Sequence, residues 1–367
     1  MSRMDRSLLV AFACWLPGQG PELDAQRWKR VEPGIELVYP ADHGAHLGHA
    51  IEWWYLTGQL ESEDGRRFGF QFTVFRKGLD ARPAEPGSSP LRARQVYAGH
   101  LAVTDVAGGR TRFAERLRRG GTALARAAEG ELDLVLEDWS LQRSAEDRLE
   151  VKAGDPAQGI ELALVLRPAK PLVLHGERGY SEKGGDPGNA SAYASWTRLE
   201  TAGRLRLDGS ELAVRGSSWF DHEFGSGVLA EGIVGWDWFG LQLDDGRELM
   251  LFVLRTRDGG AAPASAATLV ERDGTARALR REDFTLTSSA TWTSPRTNAS
   301  YPASWAIAIP GAGLELELLP LVADCELVSS ASTGVTYWEG PVEIRGPLTG
   351  RGYAELTGYA GSVAGRF

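Results

Sequence analysis

The chain has 367 residues, carries a formal net charge of −9 and is 43% hydrophobic. A negative charge of this size argues against nucleic acid or an anionic membrane surface as the main partner. The length suggests about two domains, and 45 glycine and 12 tryptophan residues favour a β-sandwich or β-barrel architecture.

Residues 1–29 are predicted to form an N-terminal arm or signal segment. Arg3 and Arg6 precede a short apolar run that ends before Cys14. A basic start followed by an apolar run and a small residue before cysteine is typical of a lipoprotein signal. The sequence therefore predicts export to the periplasm or cell envelope, with peripheral membrane attachment through a lipid on Cys14. The alternative is a packed N-terminal arm on a cytoplasmic protein.

Two stretches of the chain, residues 52–76 and 236–255, resemble each other. Each contains a tryptophan-rich strand, an Asp-Gly turn and an apolar return strand that ends in arginine. Internal similarity over such a distance indicates a duplicated unit. We therefore predict two related β-domains, with Trp54 and Trp238 in equivalent places.

The segment around residues 225–233 is predicted to separate these domains, because a Gly-Ser-Gly sequence there precedes the second copy of the hairpin. The expected domains are residues 30–226 and 227–367. Asp-Gly pairs between apolar or alternating segments are a strong hairpin signal. They occur at residues 64–65, 208–209, 245–246 and 273–274.

Apolar residues alternate with other residues in several segments, which predicts strands with one face in a core. These segments are residues 132–136, 160–166 and 314–318. No segment shows a long helical period of 3.6 residues. The prediction is an all-β chain of two tandem antiparallel β-barrel domains.

Residues 219–224 are the densest group of side chains that could carry chemistry. In a strand, Trp219, Asp221 and Glu223 share one face and His222 points to the other. Burial and mutual repulsion both raise the pKa of a carboxyl group, so one acid could hold a proton near neutrality and donate it. The alternative is a structural network in which the acids bind backbone amides or arginines.

Tryptophan clusters occur in both copies of the repeat. Trp53 and Trp54 follow Glu52, and Trp236 and Trp238 share a strand face. Indole faces can line apolar ligand pockets and stabilise developing cations. The alternative is that these residues are core.

The histidines at positions 43, 46 and 49 lie in a glycine-rich segment that we interpret as a solvated loop. Because that segment shows neither a helix nor partner ligands, no metal site is predicted. The sequence also lacks the G-x-S-x-G, phosphate-loop, dinucleotide, H-E-x-x-H and C-x-x-C motifs. No cofactor is therefore expected.

Several stretches together resemble the AttH-like family of secreted lipocalin-like proteins, which is related to the carotenoid 1,2-hydratases (hydroxyneurosporene synthase). They are residues 52–58, 99–105, 137–141, 176–184, 219–225, 235–238 and 352–359. They occur in order over nearly the whole chain. The resemblance implies two lipocalin-like β-barrel domains, and export of many relatives supports the signal segment.

The resemblance also implies a reaction, in which the hydratases protonate an isoprenoid double bond with an aspartate and water captures the cation. The matching position is Asp221, two residues after Trp219. The preceding strand, which holds a His and a Trp in the hydratases, here contains Tyr193 and Trp196 without a histidine. AttH-like proteins usually have several tyrosines there, and Tyr193 is the one that remains.

Two functions follow from these observations. One is an exported protein that binds a hydrophobic small molecule, an isoprenoid or lipid; the alternative is a hydro-lyase or isomerase/cyclase with Asp221 as acid. They are distinguished by whether Asp221 faces an enclosed apolar cavity or an arginine. The catalytic candidates are Asp221, Glu223 and Tyr193. The ligand-binding candidates are Trp219, His222, Trp53, Trp54, Trp236 and Trp238.

Overall fold

The computed structural model describes most of the chain. It covers residues 28–81, 92–121, 123–144, 146–185, 188–227 and 229–363. Cys14 and the predicted signal segment lie outside the described residues, apart from the end of that segment. In the described ranges no helix is long and apolar enough to cross a membrane.

The described residues form strands joined by turns and three short 3₁₀ helices, Ala41–His43, Arg281–Asp283 and Pro310–Ala312. The strands of the first sheet are β1 (Ile51–Ser62), β2 (Arg67–Gly78), β3 (Gln95–Asp105), β4 (Arg110–Arg119), β5 (Ala125–Ala127), β6 (Asp133–Leu136), β7 (Trp139–Arg143), β8 (Leu149–Asp155), β9 (Ile160–Pro168), β10 (Val173–Leu174), β11 (Tyr180–Glu182), β12 (Ala190–Leu207) and β13 (Ser210–Gly225). The strands of the second sheet are β14 (Ile233–Leu243), β15 (Glu248–Thr256), β16 (Ala266–Val270), β17 (Ala276–Leu279), β18 (Thr285–Thr293), β19 (Ser300–Ile309), β20 (Leu314–Pro320), β21 (Glu326–Val328), β22 (Thr336–Arg345) and β23 (Gly350–Thr357).

Neighbouring strands pair in two separate antiparallel sheets. The first has the order β4-β3-β2-β1-β13-β12-β9-β8-β7-β6-β5, with β10 and β11 on β12. The second has the order β17-β16-β15-β14-β23-β22-β20-β19-β18, with β21 on β22. The sheets form a nearly closed barrel and a half-barrel. This confirms the predicted all-β fold with two β-domains.

All four predicted Asp-Gly pairs connect paired antiparallel strands. In the first of them Gly65 has a φ of +81°, a conformation that residues with a side chain rarely adopt. The predicted alternation is also present: Leu162, Leu164 and Leu166 of β9 are buried, and the residues between them are more exposed. Burial of each such side chain stabilises the fold by roughly 1.5–3 kcal/mol.

The two domains bind each other through equivalent glutamines of the repeated hairpin. Gln59 of β1 donates from Nε2 to the carbonyl oxygens of Val342 and Gly352, at 2.8 and 2.9 Å. Gln242 of β14 donates in the opposite direction, to the carbonyl oxygens of Thr197 and Ser218, both at 2.9 Å. The arrangement is reciprocal, as expected for a duplicated unit.

This reciprocity corrects the predicted equivalence of Trp54 and Trp238. Each glutamine lies six positions after a tryptophan, which aligns Trp53 with Trp236 and Tyr55 with Trp238. Trp54 is in the core of the first domain, whereas Trp238 packs in a cluster between the domains. Alignment on the wrong tryptophan shifts the strand by one residue, and a one-residue shift exchanges its two faces.

Candidate active site

A cavity of about 170 Å³ lies between the two domains. The first domain contributes side chains of β1, β2, β3, β12 and β13, and the second contributes side chains of β14, β15, β22 and β23. Small-molecule sites occur preferentially at domain interfaces. The cavity is therefore placed where a small-molecule site is expected, with walls from both domains.

Asp221 borders this cavity and is 3% exposed. Trp219 Nε1 donates to Oδ1 at 2.6 Å, the Tyr193 hydroxyl donates to Oδ2 at 2.7 Å, and Ser195 also donates to Oδ1. All three donors are neutral. Burial raises the pKa of Asp221 to about 7, although the three hydrogen bonds oppose the rise. This carboxyl group is therefore suited to exchange a proton near neutrality.

A second layer of side chains fixes the groups that hold Asp221. His175 Nε2 lies 2.6 Å from the Ser195 hydroxyl, and Nδ1 lies 2.9 Å from the Thr268 hydroxyl. Burial lowers the pKa of His175 to about 3, so its imidazole is neutral. Because Ser195 donates to Asp221, it accepts the Nε2 proton, and Nδ1 accepts the proton of Thr268. Thr268 belongs to the second domain, so both domains orient the acid.

Tyr193 makes a similar connection on the other side of the carboxyl group. Its hydroxyl accepts a hydrogen bond from Trp238 Nε1 at 3.0 Å while it donates to Asp221. Tyr55 packs edge-on against Trp238, with ring centroids 5.2 Å apart. The predicted residues Asp221, Tyr193 and Trp238 are thus brought together by strands of both domains.

Glu223 also borders the cavity, but its environment differs from that of Asp221. Lys183 Nζ lies 2.8 Å from its Oε1, and Ser191 donates to the same oxygen. The distance between the ammonium and carboxyl groups is that of a salt bridge. We therefore assign Glu223 and Lys183 to an ion pair in the cavity wall.

The structure divides the predicted ligand-binding residues between the cavity and the opposite side of the first sheet. Trp53, Trp236 and Trp238 line the cavity, and Trp219 contacts Asp221 beside it. Trp54 and His222 do not reach the cavity. They are directly opposed on β1 and β13 and stack with centroids 4.9 Å apart on the other side of the sheet. The alternation of side chains along each strand accounts for this division.

The histidine segment predicted to be a solvated loop is packed instead, and that prediction is wrong. His43 is 2% exposed and His49 is 8% exposed. His46 Nδ1 and His222 Nε2 both contact Glu52 Oε1, at 2.8 and 2.9 Å. The glycine-rich sequence predicts an exposed loop, but the buried carboxylate of Glu52 on β1 binds the backbone and ring of His46 and holds the segment against the sheet.

Glu52 is the centre of this network. Arg76 Nε lies 2.8 Å from its Oε2, and both side chains are fully buried. Burial by itself would raise the pKa of Glu52, but hydrogen bonds from His222 and His46 and the charge of Arg76 hold it well below its usual value. His46, Glu52 and His222 are close enough to bind a cation. Because the Arg76 guanidinium already forms a salt bridge with the Glu52 carboxylate, we assign the network a structural role.

Sequence reasoning missed two acids that line the cavity from the second domain. Glu339 of β22 and Glu355 of β23 are directly paired across their strands. Glu355 accepts hydrogen bonds from Trp236 Nε1 at 2.9 Å and from Thr357 at 2.8 Å. Burial raises the pKa of both carboxyl groups. The available signal was the position of Glu339 within an aromatic segment, two residues after Tyr337 and one after Trp338.

Comparison with known proteins gives one family and several similar folds. The family model for AttH-like proteins matches residues 30–359. A crystal structure of a protein from Nitrosomonas europaea assigned as an AttH is 36% identical, with a TM-score of 0.82, and the alignment covers 90% of this chain and 99% of that one. No curated protein matches the chain.

Two further structures are similar in fold. Kievitone hydratase from Nectria haematococca is 15% identical, with a TM-score of 0.67 and coverage of 91% of this chain and 97% of that one. CghA, in complex with Sch210972, is 15% identical, with a TM-score of 0.54 and coverage of 85% and 89%. At these identities the likeness establishes the architecture alone.

Proposed function

This chain belongs to the AttH-like family, and we propose that it is an acid–base enzyme acting on a hydrophobic small molecule in the cavity between its domains. The reaction is addition of water to an alkene, or its reversal. The name of kievitone hydratase, which has the same fold, states a hydration. The family membership does not itself fix the reaction, so the proposal depends on the site.

The observation that carries the proposal is the environment of Asp221. Among the described residues it binds only neutral partners, and no arginine or lysine pairs with it. Burial raises its pKa to about 7. A structural aspartate at a domain junction would be expected to bind a cation, as Glu248 does with Lys170 at 2.8 Å. Asp221 is instead held by neutral donors beside a cavity.

The chemistry follows from the two protonation states of one carboxyl group. Neutral Asp221 transfers its proton to one alkene carbon, which leaves a carbocation and an Asp221 carboxylate. Water adds to the cation, and the carboxylate takes the surplus proton from the new oxygen. The net reaction adds one water and restores Asp221. The reverse sequence eliminates water from an alcohol.

The aromatic wall supports such an intermediate. Trp53, Trp236 and Trp238 border the cavity, and aromatic rings attract nearby cations. The same wall would hold an apolar ligand without any turnover, so a carrier for an isoprenoid or lipid is the second candidate function. A carrier has no need of an acid that titrates near neutrality.

The test uses an isoprenoid alkene and kievitone as probes. The purified protein is incubated with each in deuterated water, and deuterium incorporation and water addition are followed by mass spectrometry. We expect the wild-type protein to incorporate deuterium into at least one probe, and Asp221→Asn to lose this activity by about hundredfold or more because an amide cannot deliver the proton.

Asp208→Asn is the matched control, since Asp208 lies on the surface and pairs with Arg112. It should retain wild-type incorporation. Ligand retention without incorporation, equal in the wild type and Asp221→Asn, would support the carrier function and contradict the enzymatic one.

A further inference from the structure

One part of the cavity wall contains buried polar atoms whose hydrogen-bonding capacity is unused. In the described part of the chain, the Tyr55 hydroxyl, Gln71 Oε1 and both carboxyl oxygens of Glu339 have no hydrogen-bond partner. All three side chains line the cavity and are at most 5% exposed. A buried polar group without a hydrogen-bond partner destabilises the fold, because it loses its hydrogen bonds to water without replacing them. Three such groups at one cavity indicate that something else satisfies them.

The fold brings these side chains together from both domains. Tyr55 and Gln71 lie on the paired strands β1 and β2, and Glu339 lies on β22 of the other domain. Gly69 of β2 faces Pro341 of β22 so closely that a Cβ at position 69 would be 2.7 Å from the proline ring. Gln71 and Glu339 are each two residues from this contact, so they share its strand faces.

Tyr55 connects this group to the acid. Burial raises the pKa of the Tyr55 hydroxyl well above its ordinary value, and the neighbouring carboxyl groups of Glu339, Glu355 and Asp221 add to the rise. The hydroxyl therefore lies within electrostatic range of Asp221 and of both glutamates. It lies close enough to Glu339 to oppose the rise in the pKa of that group, although neither side chain has a hydrogen-bond partner among the described residues.

The group can both donate and accept. Burial raises the pKa of Glu339 well above its usual value, which favours the protonated acid, and a buried carboxylic acid can donate a hydrogen bond. Tyr55 supplies a second donor. Gln71 Oε1 and the side-chain carboxyl oxygen of Glu339 that carries no proton supply acceptors. A hydroxyl group or a water molecule both donates and accepts hydrogen bonds, so it can pair with these donors and acceptors. A hydrocarbon would leave all of these polar atoms without a partner.

We propose that Tyr55, Gln71 and Glu339 form a second subsite of the cavity, which binds a hydroxyl oxygen while Asp221 faces the reactive carbon. This inference rests on the proposed function. Its ligand is either a hydroxyl group of an otherwise apolar substrate or the water that takes part in the reaction. The substrate class in the first case is a hydroxylated, largely hydrocarbon molecule.

The experiment compares the affinity of the full chain for geraniol with that for a matched hydrocarbon lacking the hydroxyl group, by calorimetry. If the subsite binds the substrate hydroxyl, the wild-type protein should prefer the alcohol by at least about tenfold. Tyr55→Phe and Glu339→Leu should each reduce that preference. Glu339→Gln should retain it, because an amide also donates and accepts.

Two features separate this role from a structural one. Glu339→Leu should raise the melting temperature, because it removes an unsatisfied buried group. Tyr353→Phe is the matched control: its hydroxyl is also buried without a hydrogen-bond partner in the described residues, but it does not line the cavity. It should leave the preference unchanged.

A crystal structure of the protein decides the source of the oxygen. Equal affinity for both probes, with an ordered water bound to Tyr55, Gln71 and Glu339, supports the subsite with water as its ligand. Equal affinity with no water there overturns the inference. If neither probe binds, the proposed hydrophobic ligand class fails, and the water in the ligand-free crystal still decides the subsite.

Discussion

At the scale of single residues, Asp221 differs from Glu52 and Glu248, whose buried carboxylates bind cationic side chains. Its neutral partners leave burial as the dominant influence on its pKa. The sequence allowed Asp221 and Glu223 to be placed on one strand face, because alternation is local. It did not allow the Lys183 contact to be predicted, because that contact depends on the packing of a distant turn.

The raised pKa of Asp221 has a consequence for stability. Its ordinary value is 3.8 and its value in the fold is about 7, so the folded protein binds this proton more tightly and stability falls as pH rises between those values. Asp221→Asn removes the titration. The variant should gain about 4 kcal/mol relative to wild type on going from about pH 4 to about pH 8, from roughly three units at 1.36 kcal/mol each.

Denaturant unfolding at both pH values measures this difference. The surface variant Asp208→Asn should behave in the opposite sense, because its hydrogen bond to Arg112 lowers the pKa of Asp208. Its loss therefore weakens the fold at high pH and not at low pH. A pH-independent effect of Asp221→Asn would show that the carboxyl group is ionised throughout this range.

At the scale of elements, the hairpins could be predicted and their register could not. The four Asp-Gly turns could be predicted because this residue pair favours the backbone conformation of a tight hairpin turn. The alignment of the two copies depends on which face meets the other domain. The equivalence of Gln59 and Gln242, which sets this alignment, follows from their hydrogen bonds to carbonyl groups of the other domain. Glu339 was missed for the same reason, since its role depends on β1 and β2 of the other domain.

The interdomain glutamines should contribute unequally to stability. Gln242 is 5% exposed and Gln59 is less deeply buried, so water can replace the hydrogen bonds of Gln59 more easily. We expect Gln242→Ala to lower the free energy of unfolding by about 2 kcal/mol and Gln59→Ala by less. Urea unfolding measures both. Gln142→Ala, which alters an exposed contact with Asp133, is the control; equal losses for all three would contradict the reciprocal junction.

At the scale of the whole molecule, two related β-domains form a ligand-sized space that neither would have alone. The composition and the repeat predicted two domains, but a cavity between them arises from side chains far apart in sequence, such as Asp221 and Glu339. Such an arrangement is specified by packing and could not be obtained from local patterns.

Export is a separate property of the whole molecule, which we propose from the basic and apolar residues before Cys14. Cell fractionation with a labelled fatty acid should find a lipid-bearing mature form that begins at Cys14, and Cys14→Ser should abolish the label. Cys325→Ser should not, because Cys325 is buried and burial raises the pKa of its thiol to about 12. An unprocessed, unlabelled cytoplasmic protein would refute the proposal.

The protonation state of Asp221 in the folded protein tests the proposed acid most directly, and it requires no knowledge of the substrate. Carbon-13 NMR of aspartate carboxyl groups, assigned by comparison with Asp221→Asn, measures its titration. We predict a midpoint near the value of about 7 that burial produces. A midpoint at or below about 4, the usual range of an aspartate, would show an ionised carboxylate at neutrality and contradict the proposed acid.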